Sequence, residues 1–82
     1  MTRHILERFS DKKHTIDLLI ANDPEFLDLC EDHDACVDAL RYWAKSEKPE
    51  AETRVDEYRA LVRELREEIA QALKALEPRR SD

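Results

Sequence analysis

From Phe26 onward the apolar residues recur in steps of four and three: Phe26, Cys30, His33, Val37, Leu40, Ala44. A second row of Leu29, Cys36 and Trp43 lies beside the first. At 100° per residue, these nine positions fall within an arc of about 140°. Acids fill the rest of the circle: Glu25, Asp28, Glu31, Asp32, Asp34 and Asp38. This pattern predicts an amphipathic helix over residues 23–46. Its start is marked by Asp23 as N-cap and Pro24 at the first helical position, where a missing N–H costs nothing. Asn22, just before it, is expected to close the preceding segment in a left-handed conformation.

A second stripe is more regular. Val55, Tyr58, Val62, Leu65, Ile69, Ala72 and Leu76 step 3-4-3-4-3-4, and Leu61 and Leu73 widen it. This predicts a second long helix over 50–77, opened by Pro49 and capped one turn later by Thr53 and Asp56. A turn over 46–52 joins the two helices, and residues 78–82 form a tail after the helix stop at Pro78. Helices joined by so short a turn lie antiparallel. Trp43 then faces Val55, Leu40 faces Tyr58, Val37 faces Val62, His33 faces Leu65, Cys30 faces Ile69 and Phe26 faces Leu73. Nearly every layer sets apolar against apolar.

The fold class that follows is all-α: an antiparallel, coiled-coil-like two-helix hairpin, with a short helical arm over residues 1–22. In the arm, Ile16, Leu19 and Ile20 predict a helix over about residues 11–21, capped by Ser10 or Asp11 and extendable through Ile5, Leu6 and Phe9. The arm is expected near the open end of the hairpin, against Leu73, Leu76 and Leu27. Residues 1–82 make one domain.

Composition supports the helical reading. Glycine is absent from the 82 residues, which excludes glycine-rich phosphate loops, dinucleotide fingerprints and Asn-Gly hairpin turns. Fourteen Lys and Arg against twenty Asp and Glu give a net charge of −6. The basic residues alternate with acids, which argues against a nucleic-acid partner. No apolar run reaches the ~20 residues of a membrane span, and the first residues lack a signal-peptide core, so a cytoplasmic protein with no membrane partner is expected.

The segment Asp23-Pro24-Glu25-Phe26-Leu27, continuing through His33 to Leu40, resembles the first half of the YdcH-like proteins, small bacterial helical hairpins of unknown function. Phe26, His33 and Leu40 match the family's aromatic, histidine and aliphatic residues at seven-residue spacing. Leu65-Arg66-Glu67-Glu68-Ile69 resembles its Leu-Lys-Asp-x-Ile segment, and Arg59 stands where the family carries a lysine. The resemblance covers roughly residues 16–73. It departs at Cys36, where a larger apolar residue is usual, and at Arg59-Ala60-Leu61-Val62, where the family is rich in lysine. It implies a hairpin fold and no activity.

Chemistry centres on Cys30, His33 and Cys36. Thiolates and imidazole suit zinc, but the two cysteines diverge around the helix by about 120°, and the facing helix offers Leu65 and Ile69. The alternative is a core-edge histidine hydrogen-bonded across the hairpin or to water. Six residues along one helix separate the cysteines by about 9 Å, beyond disulfide reach. His4 and His14 are expected to be exposed in the arm. No catalytic pairing has an orienting third group, and no cofactor is expected.

The leading functional expectation is therefore a non-catalytic helical interaction or scaffolding module. The alternative is a metal- or redox-responsive regulator using Cys30, His33 and Cys36. The apolar arcs exceed one seam. A homodimer forming an antiparallel four-helix bundle is expected, paired through Leu29, Cys36, Trp43, Leu61 and Leu73, with the folded arm as the alternative cover. The acids Glu31, Asp34 and Asp38 offer a face to a basic protein partner, or stand as an ordinary solvated surface.

Overall fold

A computed structural model describes residues 3–76. Those residues are all-α, with no strand among them. The helices are α1 (Arg3–Arg8), α2 (Lys13–Asn22), α3 (Pro24–Ala44) and α4 (Ala51–Leu76), with a 3-10 turn at Ser10–Lys12 between the first two. The predicted tail at 78–82 lies outside the described residues, as does the side chain of Leu76.

The long helices pack against each other in opposite directions. Trp43 and Val55 share one concavity near the turn. Val37 and Leu40 share another with Val62. Phe26, Cys30, Ile69 and Leu73 belong to one buried cluster at the far end. This is the register expected from matching the two apolar stripes.

The arm departs from expectation. It is two helices and a 3-10 turn rather than one short helix, so the fold is four helices rather than a plain hairpin with an appendage. Neither Ser10 nor Asp11 caps α2; its N-cap position is Lys12, whose side chain does not cap the helix. Phe9 N–H donates to Ile5 O, closing α1. The arm also contributes to the core itself. Ile5 and Ile16 are fully buried with Phe26, Cys30, Ile69 and Leu73, and Leu6, Phe9, Leu19 and Ile20 pack around them. Burying a whole isoleucine contributes roughly 1.5–3 kcal/mol. That gain holds the arm down, since its own helices are too short to be stable alone.

The caps follow local chemistry, with three corrections. Asp23 caps α3 as expected: its Oδ1 accepts from Glu25 N–H (3.0 Å) and Phe26 N–H (3.4 Å). Asn22, however, is not left-handed, and no described residue has positive φ. Its side-chain amide donates to Leu18 O at 2.7 Å, one turn back along α2. The reversal then comes from Asp23 in extended backbone (φ −137°, ψ 99°). At the other end α4 begins at Ala51, two residues after Pro49, so Thr53 lies inside its first turn rather than capping it. The turn is held instead by Ser46 Oγ accepting from Lys48 N–H (3.2 Å) and by Ala51 N–H donating to Lys48 O (3.0 Å).

Because Ile16 fills space between α3 and α4, Ile16→Ala is expected to destabilise the fold by about 2–4 kcal/mol, transfer and cavity terms together. Urea unfolding followed by far-ultraviolet circular dichroism measures it. An unchanged midpoint would show that the arm is not part of the cooperative core.

Candidate functional site

His33 lies at the centre of the α3–α4 seam, fully buried. Arg66 of α4 donates from Nε to His33 Nε2 at 3.0 Å. A guanidinium cannot accept a hydrogen bond, so Nε2 carries no proton and the ring's N–H is on Nδ1. That N–H donates to Asp34 Oδ1 at 3.1 Å. The second Asp34 oxygen accepts from the backbone N–H of His4 at 3.2 Å. Amides in the first turn of a helix have no intrahelical partner, and Asp34 supplies one to α1 from another helix. The chain Arg66, His33, Asp34, His4 thus joins α4, α3 and α1.

Two expectations are corrected here. His4 is buried rather than exposed, at 6%. Its Nε2 bonds Asp38 Oδ1 at 2.9 Å, while Nδ1 is buried without a hydrogen-bond partner, 3.7 Å from Glu7 Oε1. Asp34, expected on a solvated acidic face, is 7% exposed with both oxygens engaged inside the fold. Asp38 and Glu31 are exposed, and the hydrogen bond from His4 holds the Asp38 carboxyl below the usual range. His14 is exposed, as expected.

Cys30, His33 and Cys36 are not brought together as a ligand set. Among the described residues no three His, Cys, Asp or Glu side chains are grouped to hold a metal. Cys30 is buried in the core, and burial pushes its thiol up to about 12. Cys36 is half-buried, and burial raises its thiol as well. Both His33 ring nitrogens are already committed within the fold.

The five residues expected to pair two copies fall in three places. Leu73 is 3% exposed in the core, and Leu29 packs against that core. Trp43 is half-buried at the turn, where it meets Tyr42 edge-to-face at 5.1 Å. Lys48 Nζ lies over both rings and donates to the Tyr42 hydroxyl. Cys36 and the 43%-exposed Leu61 share a shallow concavity on one side of the hairpin with Leu65, Asp32, Glu64 and Glu68.

The opposite side holds a feature the sequence reading missed. A groove of about 770 Å³ runs between α3 and α4, floored by Phe9, Val37, Leu40, Val62 and Ala70. Arg8, Arg41, Arg59, Arg63 and Arg66 line it, against a single acid, Glu67. Arg59, Arg63, Arg66 and Ala70 step by four, three and four, a stripe along one side of α4. Arg8 and Arg41 reach the groove only through tertiary packing. Apart from Arg66, each of these arginines is exposed and makes no ion pair or hydrogen bond among the described residues.

No family model matches the chain, and no curated protein or solved structure does either. Among the described residues no helix is long and apolar enough to cross a membrane.

Two measurements test the buried network. Asp34→Asn turns one acceptor into a donor facing an N–H, and is expected to cost about 2–3 kcal/mol; Asp38→Asn, at the surface, should cost much less. Equal urea midpoints for the two variants would refute the placement of Asp34. The second test is pH. Burial, first, and the Arg66 charge lower the His33 pKa from 6.5, outweighing the opposing pull of Asp34. Below 6.5 the unfolded chain therefore binds more protons than the folded one, so stability is full above that pH and falls as pH drops below it. The urea midpoint should decline between pH 7.5 and 5.5, and His33→Gln should flatten that part of the profile.

Proposed function

We propose that the protein is a non-catalytic helical interaction module that associates with itself. The observation that carries this reading is the apolar surface left open on both sides of the α3–α4 seam. Leu61 is exposed, with Cys36 and Leu65 half-buried beside it, and the opposite groove presents half-buried Phe9 and Leu40 beside buried Val37 and Val62. Contiguous apolar surface flanked by charge is a usual mark of an interaction site. Of the residues expected to pair two copies, Cys36 and Leu61 support the reading, since both line an open concavity, whereas Leu73 and Leu29 serve the core.

The absence of catalysis is part of the same proposal. The concavities are open grooves, and the His33–Asp34 network is used in structural hydrogen bonds that tie helices together. A cytoplasmic setting and kinship with the YdcH-like hairpins belong to the proposal too. Phe26 and His33 turning inward, with Leu40 half-buried one heptad on, support the latter.

Light scattering over a wide dilution range tests self-association. The average mass should rise with concentration, and Leu61→Lys should shift that rise to at least tenfold higher concentration. A monomer at every concentration would overturn the proposal.

A further inference from the structure

The two sides of the hairpin are oppositely charged. At 100° per residue, Arg59, Arg63 and Arg66 fall on one side of α4, while Leu61, Glu64, Leu65 and Glu68 fall on the other. The helix α3 divides the same way, with Val37, Leu40 and Arg41 on the first side and Asp32 and Cys36 on the second. The two concavities share no residue. Each has an apolar floor. One is edged by five arginines, and the other by Asp32, Glu64 and Glu68 with no Lys or Arg.

We propose that the arginine-edged groove is a docking site for a second copy of this chain, which inserts its acidic side, centred on Leu61. The proposal rests on the self-association argued above and specifies which surfaces meet. Charge complementarity selects the occupant. A chain of net charge −6 that concentrates five arginines around one groove repels its own groove from a second groove. It attracts the acid-edged strip that every copy carries.

Size agrees as well. The strip from Leu61 to Glu68 is about 10 Å long and the groove from Arg59 to Ala70 about 16 Å, at 1.5 Å per residue. One therefore fits lengthwise within the other. On contact, Leu61 and Leu65 would cover the half-buried Leu40, while Glu64 and Glu68 reach Arg59 and Arg63. Exposed arginines without internal partners give up no existing ion pair to make these contacts.

The arrangement has a consequence for assembly. A groove that takes a strip from the opposite face of another copy is a head-to-tail interface. Such contacts close into rings or continue into open chains, and do not stop at a two-fold dimer. Mass should therefore grow past that of a dimer as concentration rises. Because the charges lie at the rim of the contact, added salt should weaken it.

Complementary variants test this. Arg59→Glu with Arg63→Glu spoils the groove and leaves the strip intact. Glu64→Arg with Glu68→Arg does the reverse. All four positions are exposed, and circular dichroism checks that helicity is kept; the single changes Arg63→Glu and Glu64→Arg stand in if a double variant unfolds. In sedimentation velocity, each variant alone should need at least tenfold higher concentration to associate than the wild type. Their equimolar mixture should recover association. Wild-type association that neither variant weakens, or a mixture that stays monomeric, overturns the head-to-tail interface while leaving self-association standing. A wild-type chain monomeric at every concentration removes both.

Discussion

Asp34 sits almost out of solvent, and the hydrogen-bond chain that runs through it links three helices. A buried polar group without partners costs a few kcal/mol, so a carboxyl at this position is tolerable only if donors reach it. The His33 ring supplies one from the same helix, and the backbone of His4 supplies the other from the arm. Arg66 then fixes which nitrogen of His33 carries the proton. Each link constrains the next. With α1 displaced, Asp34 loses a donor and Ile5 leaves the core. With α4 displaced, His33 is no longer held in the tautomer that serves Asp34.

This network explains why the arm belongs to the fold. Matched stripes would bring α3 and α4 together without it, but the far end of that hairpin would expose Phe26, Ile69 and Leu73. Ile5 and Ile16 close it through apolar contact. The bond from His4 to Asp34 adds direction to a contact that burial alone would leave free to slide. The arm covers that end of the hairpin, and open concavities lie along the two sides of the seam.

Those two sides carry opposite charge. Internal packing uses the centre of each helical stripe, and the flanks carry the residues left over. On one flank the leftover charges are arginines, and on the other they are acids. An overall charge of −6 conceals this division, because net charge says nothing about where charges lie.

The two long helices, their register and the Asp23–Pro24 start of α3 were legible in the chain alone, while the division of the arm into two helices was not. All three rest on interactions a few residues apart or on a stripe repeated over many turns, where each apolar position reinforces the same answer. The stripe of Arg59, Arg63 and Arg66 went unread, although its spacing of four and three on α4 could have revealed it. Tertiary structure alone decided that Asp34 and His4 are buried, that Leu73 is core rather than surface, and that Arg8 and Arg41 join that stripe around a groove. These outcomes depend on where the arm docks and on how α3 meets α4, contacts that join residues about thirty positions apart, from His4 to Asp34 and from His33 to Arg66. No helical periodicity encodes such pairs: an aspartate that meets two donors across a fold has the same spacing along its own helix as one that faces water.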